Sequence, residues 1–409
     1  MPNFKYRARD LRGRDTVGHV QAADSDELRR ILRANDLFLV QSRGESSPKN
    51  RNDVTAPGLF DLRPRPQDLI ICIRQMSSML RAGVPIIQVL NTVALQSDKA
   101  AIRYAFNDIE KIVTEGQHLS VGMRRYPKLF SPLVVALAEA GETSGTLDHT
   151  LDVAAVHLDR EDDLRRKVRG ATFYPKLVLG AAVGTISVML LVVVPVFAQV
   201  YGDLHARLPG ATLLLINASN FFLHYWWLAL LLIAGSVLGF HKYRSTDGGR
   251  RQLDRLSLQM PILGPLQRKI AIARFVHTLA GALHGAVPIL RAMIISGETA
   301  DNVVLRDAVI NATYAVRDGS PMSEELSKTG EFPIMVTRMI ATGEASGDID
   351  EMLEEINRFY DRDVQYAVDQ ITRLIEPAMT VIIGSIVLVV LLALYMPIFK
   401  LGEAFQKAR

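Results

Sequence analysis

The chain has 409 residues, 49% of them hydrophobic, with a net charge of only +4 and a single cysteine, Cys72. That length accommodates two or three domains, each with its own core. One cysteine excludes an intramolecular disulfide scaffold and argues against a cysteine zinc site, and the near-balanced charge argues against a chain-wide nucleic-acid footprint.

Residues 1–43 read as a small N-terminal module of α+β type. Phe4, Tyr6 and Ala8 alternate with polar residues, Gly13 marks a turn, and Val17, His19 and Ala22 form a second extended run. Ser25 is placed to cap a helix carrying Leu28, Ile31 and Leu32, and Leu37–Val40 closes the unit as a third strand. Residues 44–66 are rich in Gly, Ser, Pro, Asn and Arg and read as a flexible linker. The start of the chain lacks the apolar core of a cleaved signal peptide, so membrane targeting is expected to be internal.

Residues 67–176 are helical in pattern, with about six amphipathic helices separated by Gly, Pro or Ser breaks. Cys72 falls on the apolar face of the first and reads as core packing. Three apolar runs follow, at 177–202, 211–240 and 377–399, each long enough to cross a bilayer core of about 30 Å. The first and third carry no charged residue, and the only titratable side chain of the second is His224, beside Tyr225, Trp226 and Trp227. That cluster reads as an interfacial aromatic belt rather than a proton relay. Residues 268–376 repeat the helical pattern of 67–176. The expected architecture is therefore an all-α membrane protein, with two duplicated cytoplasmic bundles and three transmembrane helices beside the N-terminal module.

The duplication is explicit. Gly141-Glu142-Thr143-Ser144-Gly145 returns as Gly343-Glu344-Ala345-Ser346-Gly347, and Ala82-Gly83-Val84-Pro85 returns as Gly285-Ala286-Val287-Pro288. Tyr174-Pro175 matches Glu376-Pro377, and Pro195-Val196-Phe197 matches Pro397-Ile398-Phe399. Ordered matches at offsets of 202 to 203 mark a tandem repeat.

Basic residues set the orientation. Arg165, Arg166, Lys167, Arg169 and Lys176 precede the first span, and Lys242, Arg244, Arg250, Arg251 and Arg255 follow the second, whereas the 203–210 loop has Arg207 alone. The bundles and the N-terminus are thus expected in the cytoplasm and the 203–210 loop outside; Lys407 and Arg409 at the tail mildly oppose this.

No phosphate-binding loop, dinucleotide fingerprint or metalloprotease histidine spacing is present in the sequence, so no catalytic residue is assigned and the chain is read as non-enzymatic. Glu142 and Glu344 recur without a repeated base or nucleophile, which favours a structural role: capping a helix start or tying the turn through backbone N–H groups, with Gly141, Gly145, Gly343 and Gly347 supplying unusual dihedrals and Ser144 and Ser346 completing the motif. Asp148 and Asp152, spaced i and i+4, share a helix face and with Gln96 form a weak candidate for Ca²⁺, which needs six to eight oxygen ligands; no other cofactor is indicated. Solvated surface carboxylates are the plainer reading.

With its Ala-Gly-Val-Pro, Phe130-Ser131-Pro132, Gly-Glu-x-Ser-Gly-x-Leu-Asp and Tyr174-Pro175 motifs, its duplicated half and its final Pro397-Ile398-Phe399, the sequence resembles the type II secretion F family along nearly its whole length. The resemblance implies a non-enzymatic, multi-pass inner-membrane platform of a type IV pilus or type II secretion machine. It implies as partners a hexameric cytoplasmic assembly ATPase, pilins or pseudopilins and other inner-membrane assembly proteins. The small-residue turns at Gly83, Pro85, Gly285 and Pro288 are the expected ATPase contacts, and a homo-oligomer, a dimer or higher, is expected because three spans are few to surround a pilin. The rival reading is a transporter or channel with regulatory domains, weakened by the scarcity of intramembrane charge.

Overall fold

A computed structural model of the chain describes residues 3–10, 15–21, 31–32, 37–45, 65–196, 199, 210–261 and 263–407. The described chain forms two compact units, Met1–Leu129 and Phe130–Arg409.

In the first unit, β1 (Asn3–Asp10), β2 (Asp15–Gln21) and β3 (Leu37–Glu45) form an antiparallel sheet in the order β2-β1-β3. Phe4 stands opposite Val20 and Ala8 opposite Leu39, and the register shifts between Arg7 and Ala8. Apart from Ile31 and Leu32, the helix expected from Ser25 lies outside the described residues, as does linker segment 46–64. Four helices follow: α1 (Pro66–Arg81), α2 (Ile86–Gln96), α3 (Ala100–Thr114) and α4 (Leu119–Arg124). Pro66 opens α1, where its missing N–H costs nothing, and the Arg65 N–H donates to Asp68 Oδ2 at 3.0 Å. Ile102, Ala105, Phe106, Ile109 and Ile112 line the buried face of α3 at helical spacing. Cys72 is buried, and burial, with the Asp68 carboxylate, pushes its thiol up to about 11, so it is an inert core residue.

The second unit begins with α5 (Pro132–Ser144) and α6 (Leu147–Val188), which continues through a π-helical turn at Met189–Val193. Then come α7 (Gly210–Arg244), α8 (Asp247–Gln259), α9 (Leu263–His284), α10 (Ile289–Thr299), α11 (Val303–Arg317), α12 (Met322–Lys328), α13 (Ile334–Ser346) and α14 (Ile349–Lys407). The duplication reappears element by element. Helices starting at 86, 100 and 119 have counterparts at 289, 303 and 322, an offset of 203, and those at 132 and 147 have counterparts at 334 and 349, an offset of 202.

Three features depart from the sequence expectation. The unit boundary falls at 129/130, inside the 67–176 segment, because α5 and α6 pack against α9 and α14 of the second copy. Gly141–Ser144 and Gly343–Ser346 are the last turns of α5 and α13 rather than free turns; only Gly145 (φ 74°) and Gly347 (φ 83°) leave the helix, in the left-handed C-cap conformation. Finally, no break separates bundle from apolar run. Helix α6 carries Pro175 in its interior, and α14 is one helix of 59 residues, about 88 Å at 1.5 Å per residue. Segments Leu147–Val196 and Ile349–Val389 each contain a stretch long and apolar enough to cross a membrane. Helix α7 has 35 residues, and no Asp, Glu, Lys or Arg occurs between Ala211 and Phe240. Residues 200–209, which hold most of the expected outward loop, lie outside the described residues.

Helices α6 and α14 run parallel. Both are antiparallel to α9. On α6, His149 stands by His284, and Glu161 and Leu164 stand by Arg274, while on α14 Asp361 faces His277 and Asp363 accepts from Lys269. Arg160 meets Glu354 between the two long helices.

The two Ala-Gly-Val-Pro turns explain their own difference. At the left-handed position stand Gly83 (φ 81°) in the first and Ala286 (φ 58°) in the second. The glycine of the second turn has moved one place earlier because a Cβ at Gly285 would collide with Leu137 Cδ2 of α5. Space therefore outranks backbone strain here. Ala286→Gly should stabilise the protein by up to about 1 kcal/mol, as left-handed strain is removed but unfolded-chain entropy rises. Gly285→Ala should destabilise it by about 1–3 kcal/mol through overpacking. Thermal unfolding in detergent separates the two signs.

Candidate functional site

The repeated pentapeptide is a packing device. A Cβ at Gly141 would meet Thr150 Oγ1 and come within 2.9 Å of Leu147 Cα, and one at Gly343 would come within 2.8 Å of Ile349 Cα. Each glycine thus lets the next long helix start directly against the one that ends. Glu344 then reaches to the N-terminus of α12, where it accepts from Met322 N–H at 2.7 Å, from Ser323 N–H at 3.1 Å and from the Ser323 hydroxyl. Ser346 Oγ accepts from Asp348 N–H at 3.3 Å at the start of α14, and Ser144 Oγ lies 2.6 Å from Thr146 Oγ1 at the start of α6. Since α12 depends on the Glu344 carboxylate for its free N–H groups, Glu344→Ala should cost about 1–3 kcal/mol, read as a fall in unfolding temperature.

Where α6, α9 and α14 come together, a cleft of about 430 Å³ opens. Its walls carry Asp152 and Arg160 from α6, His277 and His284 from α9, and Asp350 and Glu354 from α14. Arg160 grips Glu354 in a fork, Nη1 to Oε2 at 3.0 Å and Nη2 to Oε1 at 2.6 Å. Those bonds, against the opposing effect of burial, hold the Glu354 carboxyl below its ordinary value. A second tie joins the copies where Arg291 Nη2 of α10 donates to Glu139 Oε2 of α5 at 2.8 Å.

Histidines fill the inner wall. The rings of His149 and His284 lie 5.5 Å apart. His277 Nε2 is 3.1 Å from Asp361 Oδ1 but lacks hydrogen-bond alignment. Burial pushes the Asp361 carboxyl up, yet His277, Lys167 and Arg160 bring it below its usual value. His157 is 6% exposed with no hydrogen-bond partner for Nδ1. Burial pushes its pKa down to about 4; Glu161 opposes the shift, and His277 and Arg160 contribute to it.

The cleft wall carries acids and imidazoles, and no hydroxyl, thiol or amine side chain is among its described lining residues for the His–Asp contact to activate. Gln96 ends α2 in the first unit, and Asp148 and Asp152 lie in the second. Among the described residues no group of three or more His, Cys, Asp or Glu side chains is gathered to hold a metal ion. Gly83, Pro85 and Pro288 are exposed, whereas Gly285 is buried and offers no surface of its own. In α7, His224 Nδ1 lies 3.0 Å from Asn220 O, beside a kink at Tyr225.

Sequence reading missed Arg160, His157 and His277, and marked Glu354 only because it and Asp350 repeat the spacing of Asp148 and Asp152; the structure brings Glu354 to Arg160 across 194 residues. One trace was available: Arg160 and Glu354 have counterparts at the repeat offset in Arg362 and Asp152.

Two expectations follow. The unfolded chain takes up a proton near pH 6.5 that buried His157 refuses until about pH 4, so stability should fall as pH drops through this window, by up to about 3 kcal/mol. His157→Gln should remove that part of the dependence. Because the fork is more than a third exposed, Arg160→Glu should cost only about 1–2 kcal/mol, and adding Glu354→Arg should recover most of the loss in unfolding temperature.

The comparisons with known proteins agree with the duplicated architecture. The family described as "Type II secretion system (T2SS), protein F" matches twice, at residues 72–195 and 275–397, and its N-terminal domain matches residues 1–41. The chain is 37% identical over 403 residues to the type IV pilus assembly protein PilC of Thermus thermophilus, covering 98% of both chains. It is 34% identical to PilC of Myxococcus xanthus, covering 98% of this chain and 96% of the relative. With the type II secretion system protein F of Pseudomonas aeruginosa it shares 31% identity over 407 residues, covering 98% of this chain and 99% of the relative.

Proposed function

Since this chain belongs to the type II secretion system protein F family, we propose that it serves as a multi-pass inner-membrane platform of a type IV pilus or type II secretion machine, coupling a cytoplasmic assembly ATPase to the extraction and polymerisation of pilin or pseudopilin subunits. The observation that carries this reading is the continuity of α6 and α14, which run from the helical bundle into apolar segments without a joint. A helix is the stiffest element the backbone offers, and two parallel ones tied together by Arg160 and Glu354 transmit a push or twist from bundle to bilayer.

The same geometry supports three spans. Helices α6 and α14 leave the bundle in the same direction, yet the chain between them must return to build α8 and α9 beside α6. A return crossing is therefore needed, and α7, at about 52 Å, has the length and composition for it. The basic residues at the end of α6's bundle segment and after Phe240 support a cytoplasmic placement of that side. The sequence contains no phosphate-binding loop, so energy comes from a partner, a hexameric ATPase docking on the bundles at the exposed Gly83–Pro85 and Ala286–Pro288 turns. Pilins and other inner-membrane assembly proteins complete the partner set, and the platform works as a homo-oligomer.

Crosslinking in native membranes, followed by purification of the tagged chain and mass spectrometry, tests this. Recovery of an assembly ATPase with single-span pilin-like proteins is expected, and the pilin type decides between pilus and secretion. Recovery of neither, while other membrane complexes are captured, would overturn the reading.

A further inference from the structure

An opening in the second unit lies where the proposed spans meet the cytoplasm. It measures about 770 Å³ and is lined by the end of α6's bundle segment, the last turn of α7, and by α8 and α9. Arg169, Lys176 and Arg244 line it, and among the described residues no carboxylate pairs with any of the three. The acids at its rim are engaged elsewhere: Asp254 accepts from Val303 N–H at 2.9 Å, and Asp301 pairs with Arg274 at 3.0 Å. Beside the cations stand exposed apolar side chains, Phe240 at 55%, Leu256 at 55% and Met260 at 43%. Exposed cations without a carboxylate partner, set beside exposed apolar side chains in one cleft, match a ligand with an anionic head and an apolar tail.

The repeat provides an internal control. Arg165, Arg166, Lys167, Arg169 and Lys176 of α6 correspond to Ala367, Val368, Asp369, Ile371 and Ala378 of α14. None of the five aligned positions is basic at the third span, where Arg373 stands in the final turn before Pro377, so the five-residue collar is not a requirement of the helix.

We infer that this cleft binds an anionic phospholipid, with its phosphate held by Arg169, Lys176 and Arg244 and an acyl chain lying along Phe240, Leu256 and Met260. Basic pockets between helices on the cytoplasmic side recognise lipid phosphates in this way. The inference rests on the membrane placement proposed above. The bound lipid would join α6 to α7 at the level where the platform's motion enters the bilayer.

Native mass spectrometry of the full chain in detergent tests it, with phosphatidylglycerol and phosphatidylcholine of identical acyl chains as probes. The wild type should retain phosphatidylglycerol in preference, and Arg169→Gln/Lys176→Gln/Arg244→Gln should lose that retention by about tenfold or more. Arg338→Gln/Arg358→Gln/Arg362→Gln, which removes the same charge elsewhere, should leave it unchanged, and Arg169→Lys/Arg244→Lys should preserve it. Equal retention of the two lipids, equal loss in both triple variants, or full displacement by inorganic phosphate would overturn the lipid assignment, the last in favour of a free-anion site. In a Cys72→Ala background, Ala206→Cys is labelled from outside intact cells by a membrane-impermeant maleimide if the span placement holds. A lipid failure with labelling intact then counts against the cleft alone, and absent labelling counts against the membrane placement itself.

Discussion

The second unit depends on the parallel packing of α6 and α14. Parallel neighbours in one chain cannot be joined by a short turn, so the connection must travel the length of the pair and return. That requirement gives α7 its role, places α8 and α9 back beside α6, and lets the second copy's first helix, α9, lie against the long helices of both copies. The Arg160–Glu354 fork sets the register at which this happens. A half-exposed ion pair contributes little to stability; its value is geometric, because a two-pronged contact admits one alignment.

The small residues fit the same frame. Gly141 and Gly343 allow the long helices to begin in contact with their predecessors, and Gly145 and Gly347 reverse the chain within one residue. At Gly285 the crowding is from Leu137 of the other copy. The strain accepted at Ala286 is therefore a by-product of docking the copies together. The second copy is a modified version of the first, changed where the first copy touches it.

Much of this architecture was legible in the sequence. The duplication, the helix order, the apolar runs and the core role of Cys72 come from local periodicity and from motifs that recur at one offset. What was not legible depends on long-range contact. Pro175 stands where the helical pattern gives way to the apolar run, a place where proline often breaks a helix, but α6 continues through it. The pentapeptide reads as a turn because glycine usually marks one, yet the buried Gly141 and Gly343 answer to a neighbouring helix. The Arg160, Glu354 and histidine cluster has no local signature, since its members meet only after α9 and α14 are in place. The Asp148–Asp152 pair, suggested by its spacing, and Gln96, added as a ligand from a neighbouring helix, belong to different units.

Paired-cysteine crosslinking in native membranes tests the central claim of parallel alignment most directly. In a Cys72→Ala background, the pairs Arg160→Cys/Glu354→Cys and, one heptad on, Lys167→Cys/Asp361→Cys should both crosslink, because parallel helices keep the 194-residue separation that the fork sets. The crossed pairs, 160 with 361 and 167 with 354, should not, since a heptad shift separates them by about 10 Å. Efficient crosslinking of the crossed pairs in place of the direct ones would mean that the helices run antiparallel. That result would contradict the account of how bundle and membrane are joined.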